Sequence, residues 1–448
     1  MAHLAHNPNA RPDGRTTLEL GAVLSCTAEV RDSRLFMGGV DMVDLAREQG
    51  TALYVMDVAQ LRQQLRAYQA ALGPTNRVAY AGKAFLNKAM VRLLAAEGCS
   101  LDVSGGGELA IALAVGFDPA HVIVHGNNKT LDELAEALDA GVGLIVADCL
   151  EELDRISRLA GERGRMQPIL LRIKPGVVAD THEFIRTGAE DSKFGFGLAD
   201  GMAEQAVKKA LALPGIELRG LHIHIGSQIF SLDPYEEAIG VLADLCAMLK
   251  ASHGFTPDIL DLGGGLGIAY APTDAPATIE ELGTLILNSV VNAFEKVGLP
   301  QPQLIVEPGR SVVATAGITL YTVGAIKDLR EVRCYVAVDG GMTDNIRTAL
   351  YDAHYEAVIA NRADRARDTI VTIAGKHCES GDVVAIDASL QTPKVGDIVA
   401  VLGTGAYNAT MSSNYNAQRR PAVVFVEDGV ATLVQRRETY EDLLARDI

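Results

Sequence analysis

The stretch VAYAGKAFLN, residues 78–87, sets a lysine directly after an apolar, strand-like run. Burial of a strand end would lower the pKa of Lys83 and leave a free amine, which is a nucleophile. The bland alternative is a long stem that carries its ammonium out to water. Other apolar runs end in equally unusual residues. Ser104 opens the glycine run Gly105-Gly106-Gly107 and is followed by Glu108, and HVIV runs into His125-Gly126-Asn127-Asn128-Lys129. Further on come Arg172, Lys174 and Pro175, then His222, His224, Gly226, Ser227 and Gln228, then Gly263-Gly264-Gly265, and finally Glu307-Pro308-Gly309-Arg310. Each has a structural explanation by itself. Glycines turn strands into loops, and His222 and His224 face the same side of a strand and suit a packed core.

These residues need elements to bring them to one place. Eight short apolar runs recur between residues 77 and 309: RVAYAGK, SLDVSGG, HVIVHGN, GLIVADC, PILLRIKPG, LRGLHIHIG, ILDLGGG and QLIVEPG. Between them lie segments such as LDELAEALDAG and CLEELDRISRLAGERG, with apolar residues at helical spacing and a terminal glycine. Eight βα units predict a (β/α)8 barrel, in which chemistry sits at the C-terminal ends of the strands. After residue 310 the texture changes. ITLYTVGAIKDL, CYVAVDG, DTIVTIAG, DVVAIDA, DIVAVLG and PAVVFVEDGVATLVQRRE alternate apolar and polar residues, which predicts antiparallel β structure. SCTAEVRDSRLFMGG near the start reads as strand-turn-strand and is expected to join it. The expected organisation is residues 1–50 and 311–448 forming a discontinuous antiparallel β domain, and 51–310 forming the barrel.

Bulk properties narrow the function. The 448 residues carry a formal net charge of −17, which disfavours nucleic acid and anionic membrane as partners. No apolar run approaches the ~20 residues of a membrane span. The start lacks an apolar signal core, so a cytoplasmic location is expected. Six cysteines are scattered without a CxxC pair, which argues against a zinc site and a disulfide framework; no metal is expected.

Gathered at one barrel rim, the residues have a common use. Glycine amides and the Ser227 hydroxyl cradle a phosphate. There Glu307 could face a ring nitrogen, His224 could stack on a flat ring, and the Lys83 amine could condense with an aldehyde. Phosphate, ring nitrogen, ring face and aldehyde together describe pyridoxal 5′-phosphate.

The chain resembles the fold-type III pyridoxal-phosphate-dependent decarboxylases, and within them the diaminopimelate decarboxylases. The resemblance rests on AYAGKA, DVSGGGEL, HGNNK, TGAEDSKFG, GLHIHIGSQ, LGGGLG, VEPGR, VDGGMTDNIRTALY, GKHCESGD and TGAYNATMSSNYN, in that order along nearly the whole chain. It implies an alanine-racemase-type barrel with a β domain. It also implies that Lys83 carries the cofactor, His224 stacks on its ring, and Ser227, Gly263, Gly264, Gly265, Gly309, Arg310 and Tyr407 belong to its binding site. Glu307 would pair with the pyridine nitrogen. Arg310, Arg347, Tyr351, Glu379 and Tyr407 would hold the far end of the substrate. Cys378 would be the general acid, reaching the site with Glu379 from the second subunit of a homodimer. Ala52 and Thr348 stand where the family often has proline, and both are backbone-shaping positions.

Glu307 bears on the reaction type. A carboxylate keeps the pyridine nitrogen protonated and the ring a strong electron sink, which suits loss of CO2; racemases of this resemblance carry arginine there. Cys378 would then protonate Cα, a task for a thiol, whose free value is ~8.5. Ornithine, lysine or arginine would present only a cation at the distal end, whereas meso-diaminopimelate presents an ammonium and a carboxylate. Arg310 and Arg347 with Glu379 supply the matching charges. The expected activity is decarboxylation of meso-2,6-diaminopimelate to L-lysine and CO2. The alternatives are decarboxylation of ornithine, arginine or a D-amino acid, and a catalytically inactive binding relative.

Overall fold

The computed structural model describes residues 7, 9–177, 192–330 and 332–448; residues 187–191 of the TGAEDSKFG stretch lie outside these. The chain forms two compact units. One comprises residues 64–267 and 276–309, the other residues 1–63, 268–275 and 310–448.

The first unit is the eight-stranded barrel. Its strands are Arg77–Ala81, Ser100–Val103, Val122–Val124, Leu144–Ala147, Gln167–Lys174, Ile216–His222, Ile259–Asp261 and Gln303–Val306. All neighbours pair in parallel, and the pairing of Ile305 with Arg77 closes the ring. Ala79, Ile123, Leu144, Val146, Leu170, Ile259 and Ile305 fill one core cluster. Helices cover the outer face, so these strands are apolar on both sides and read as continuous runs instead of alternating ones. The helices begin and end where their sequences direct. In Leu131–Ala140 the Thr130 hydroxyl caps Glu133 N–H while the Glu133 carboxylate accepts from Thr130 N–H, and Gly141 ends the helix at φ 79°.

The second unit contains a nine-stranded sheet and a small three-stranded one. The small sheet, Glu29–Arg31, Arg34–Met37 and Val40–Asp41, is the expected strand-turn-strand piece with a third strand added. Asp32 and Ser33 turn it at φ 46° and 65°. The large sheet corrects one expectation, for it is mixed. Cys334–Val338 runs parallel to Thr369–Ala374, and Leu53–Asp57 runs parallel to Ala422–Glu427. Alternation of apolar residues marks a strand but not its direction, so the sequence could not separate these pairs from antiparallel ones. Leu53–Asp57, which follows the 50/51 boundary, pairs on its other edge with the long strand Gly317–Asp328. No helix among the described residues is long and apolar enough to cross a membrane.

Candidate active site

The first barrel strand is buried to its end, and Gly82–Ala84 then form a 3-10 turn. Lys83 is the exposed residue of that turn, between buried Gly82 and Ala84. The strand is therefore buried but the ammonium is not, contrary to the expectation that burial tunes it. The Glu307–Arg310 segment passes close by. Ala81 N–H donates to the Pro308 carbonyl at 3.0 Å, and a Cβ on Gly309 would meet the methyls of Ala84 and Ala81 at 3.0 and 3.1 Å.

Glu307 follows the eighth strand and is buried. His222 Nε2 lies 3.1 Å from its Oε2, and His125 Nε2 lies 2.6 Å from its Oε1. Burial works against the charge of Glu307, but the two histidines and their hydrogen bonds outweigh it and hold the carboxyl well below its usual range. Burial pushes His222 down to about 4, so at neutral pH it acts on Glu307 as an Nε2–H donor, not as a cation. Two further buried carboxyls stand nearby. Burial raises Asp102, with His125 acting against the shift; burial and then the Glu307 charge raise Asp261 well above its ordinary value. Of these three acids, Glu307 is the one shifted toward its ionised form.

His224 is half-buried, and its pKa is driven well below the ordinary value by burial and then by the Lys83 and Arg172 cations. It is a neutral ring whose Nδ1 accepts from Gly264 N–H at 3.2 Å. Ser227 is half-buried in the following loop. The glycine run is tightly enclosed. A Cβ on Gly263 would meet the Ile223 carbonyl oxygen at 2.5 Å, one on Gly264 the Glu307 carbonyl oxygen at 2.2 Å, and one on Gly265 the Tyr235 hydroxyl at 2.6 Å. Asp261 Oδ1 accepts from Gly263 N–H at 2.9 Å, so two of the three amides are engaged within the barrel unit.

The second unit holds the remaining expected residues. Arg310 is buried; its Nη1 donates to the Tyr270 hydroxyl at 2.8 Å, and its guanidinium lies 5.0 Å from the Tyr407 ring centre. Arg347 is also buried and lies 5.4 Å from the same ring, so Tyr407 is shared by two cations. Arg347 and Tyr351 begin and end the helix Arg347–Tyr351, and the i,i+4 spacing puts the guanidinium 5.1 Å from the Tyr351 ring. Arg347 Nε donates to the Tyr355 hydroxyl at 2.9 Å. Among the described residues Arg347 makes no ion pair, and a buried guanidinium without a carboxylate is costly.

Cys378 and Glu379 are exposed, in a loop organised by buried Asp382. The Asp382 carboxylate accepts from Met342 N–H at 2.6 Å and His377 N–H at 2.7 Å, and its Oδ2 lies 2.8 Å from His377 Nδ1. The Asn416 amide oxygen accepts from Cys378 N–H at 3.3 Å. Thus Lys83, His224, Ser227, the Gly263–Gly265 run, Glu307 and Gly309 belong to the barrel unit. Arg310, Arg347, Tyr351 and Tyr407 form a cluster in the other unit, and Cys378 and Glu379 stand together on its loop. Asp102, Asp261, Tyr270 and Tyr355 were not singled out from the sequence. The signal for the two acids was present: each is a carboxylate inside an otherwise apolar barrel strand. The two tyrosines carry no such signal.

The barrel residues fit pyridoxal phosphate on their own terms. Glu307 is a buried carboxylate held toward its ionised form and suits a ring N–H, while His224 is a neutral ring and Lys83 an accessible amine. Residues 58–314 match the family described as pyridoxal-dependent decarboxylase, pyridoxal binding domain. The chain belongs to this family, and its cofactor is pyridoxal phosphate. Within it, the chain belongs with the diaminopimelate decarboxylases. It is 48% identical over 417 residues to the diaminopimelate decarboxylase of Bacillus subtilis, covering 92% of this chain and 95% of that one. It is 45% identical over 457 residues to that of Mycobacterium bovis, covering 100% and 99%. A crystal structure of the M. jannaschii diaminopimelate decarboxylase in co-complex with L-lysine is 37% identical with a TM-score of 0.88, over 95% of this chain and 98% of that one.

Proposed function

We propose that this chain decarboxylates meso-2,6-diaminopimelate to L-lysine and CO2, the last step of lysine biosynthesis. The named activity of its relatives supports the reading, as does the L-lysine held by one of them. The observation that carries the substrate choice is Arg347, buried, held by Tyr355 and, among the described residues, without a carboxylate of its own. With Arg310 it supplies the two guanidiniums that a distal carboxylate needs.

When bound, the cofactor supplies an electron sink for the pair left behind by CO2. The chain's own residues do the rest. Lys83 would hold the cofactor through its amine. Glu307 would pair with its ring nitrogen, His224 would cover its ring, and Gly265 and Ser227 would hold its phosphate, with the Gly263–Gly264 turn shaping the loop. Arg310, Arg347, Tyr351 and Tyr407 orient the distal head of the substrate. Cys378 delivers the proton that replaces the carboxylate, and Glu379 takes the distal ammonium. Cys378 and Glu379 serve the active site of the second subunit in a homodimer working in the cytoplasm.

The test is CO2 release from meso-diaminopimelate, lysine, ornithine and arginine. Diaminopimelate should be preferred, and Arg347→Ala should lower its use by roughly one to three orders of magnitude, a charged hydrogen bond being worth ~1.5–3 kcal/mol or somewhat more when a buried partner is lost. Faster release from ornithine or lysine would sink the assignment.

A further inference from the structure

Three separate barrel strands deliver His125, His222 and Glu307 to one point. His125 follows Val122–Val124, His222 ends Ile216–His222, and Glu307 follows Gln303–Val306. Each imidazole addresses a different carboxylate oxygen, at 2.6 and 3.1 Å, and the two rings meet edge-on with centroids 4.9 Å apart. Asp102 Oδ1 lies 3.7 Å from the same His125 Nε2 that faces Glu307. All four side chains are buried, and this is an expensive arrangement for a barrel that needs only apolar filling at its centre.

We propose that His125 and His222 are positioning residues for Glu307: they fix its carboxylate as the acceptor for the cofactor's ring N–H. The inference rests on the proposed pairing of Glu307 with the ring nitrogen. A lone buried carboxylate beside Asp102 and Asp261 would take up a proton and lose its ability to accept. Two N–H donors on separate strands prevent this and set its plane. The carboxylate then holds the ring proton, and the two histidines themselves never touch the substrate. The same three donors also suit a divalent cation, their ligand atoms lying within 4.8 Å of one another, so the test must separate the two uses.

The experiment reconstitutes the cofactor-free protein with pyridoxal phosphate labelled with 15N in the ring, and reads the ring-nitrogen shift by NMR. Wild type should show a protonated nitrogen. The double variant H125L/H222L should move the shift toward the neutral ring, as Glu307→Gln does. H125Q/H222Q, whose amides keep an N–H near each Nε2, should restore it. The same leucine variant should lose roughly 10–100-fold in kcat with little change in KM, the size of a charged hydrogen bond. If the leucine pair does not fold, H125N and H222N carry the test singly, because asparagine is too short to reach Glu307. A ring nitrogen that stays protonated in folded, cofactor-loaded H125L/H222L, or in both H125N and H222N where the pair does not fold, would overturn the proposal. So would stoichiometric transition metal in the cofactor-free wild type. A neutral ring in wild type would instead refute the Glu307 pairing on which the inference stands.

Discussion

Lys83 and Arg347 are the two side chains whose surroundings say most about their use. Lys83 leaves a buried strand through a three-residue turn and ends exposed, with buried alanines on either side of the glycine-lysine step. The holoprotein should absorb in the visible, and borohydride should fix the cofactor irreversibly to Lys83. Mass spectrometry of the reduced, digested protein checks this; an adduct on another lysine would remove Lys83 from its role. Lys83 was legible because a cation after an apolar run is unusual. Arg347 was legible only through the motif around it, since nothing in NIRTALY says that its guanidinium is buried against Tyr355 and Tyr407. His222 shows the limit of residue-level reading. Spacing placed it beside His224 and left a core histidine as good an answer, whereas its partner is Glu307, 85 positions away.

The elements that carry the site were differently legible. The eight barrel strands announced themselves because parallel strands covered by helices are apolar throughout. The second unit's strands were visible too, but not their directions, and the short strand Ala357–Ile359 passed unnoticed because three residues give no period. The loop between Cys334–Val338 and the Arg347 helix illustrates what pattern cannot reveal. Asp344 sits there almost fully buried, accepting from Gly341 N–H at 3.0 Å and Thr343 Oγ1 at 3.2 Å. Burial pushes its carboxyl up from 3.8 to about 6, against those two hydrogen bonds. A raised carboxyl stabilises the fold below pH 3.8, and that contribution is lost as pH rises through 6. The full cost of ionising it is on the order of 3 kcal/mol. Asp344→Asn should therefore raise the melting temperature relative to wild type more at pH 8 than at pH 4.5. Thermal unfolding across that range checks it; a difference independent of pH would show that Asp344 is not protonated in the fold at low pH.

At the scale of the whole molecule, the expected site residues divide between two units of the chain, and the exposed Cys378–Glu379 pair is proposed to serve a second subunit. Under two-fold symmetry this makes a distinctive prediction. Lys83→Ala and Cys378→Ala should each be nearly dead as homodimers. After subunit exchange half the dimers are mixed, and each mixed dimer has one intact site, so activity should return to about a quarter of wild type. Recovery no greater than the sum of the separate variants, with exchange verified by tagged chains, would show that Cys378 serves its own chain or none. Sequence alone could suggest this sharing only through resemblance, because no spacing reports which copy of a loop completes a site. The most direct measurement of the account follows the atoms of the reaction. Purified holoprotein is given meso-diaminopimelate in D2O, and the gas and the amino acids are analysed. CO2 and lysine should appear in equal amounts, with a single carbon-bound deuterium on the lysine carbon that lost its carboxylate. Diaminopimelate recovered with deuterium at an α-carbon and no CO2 would contradict it, and would mean that the site exchanges the α-proton and retains the carboxylate.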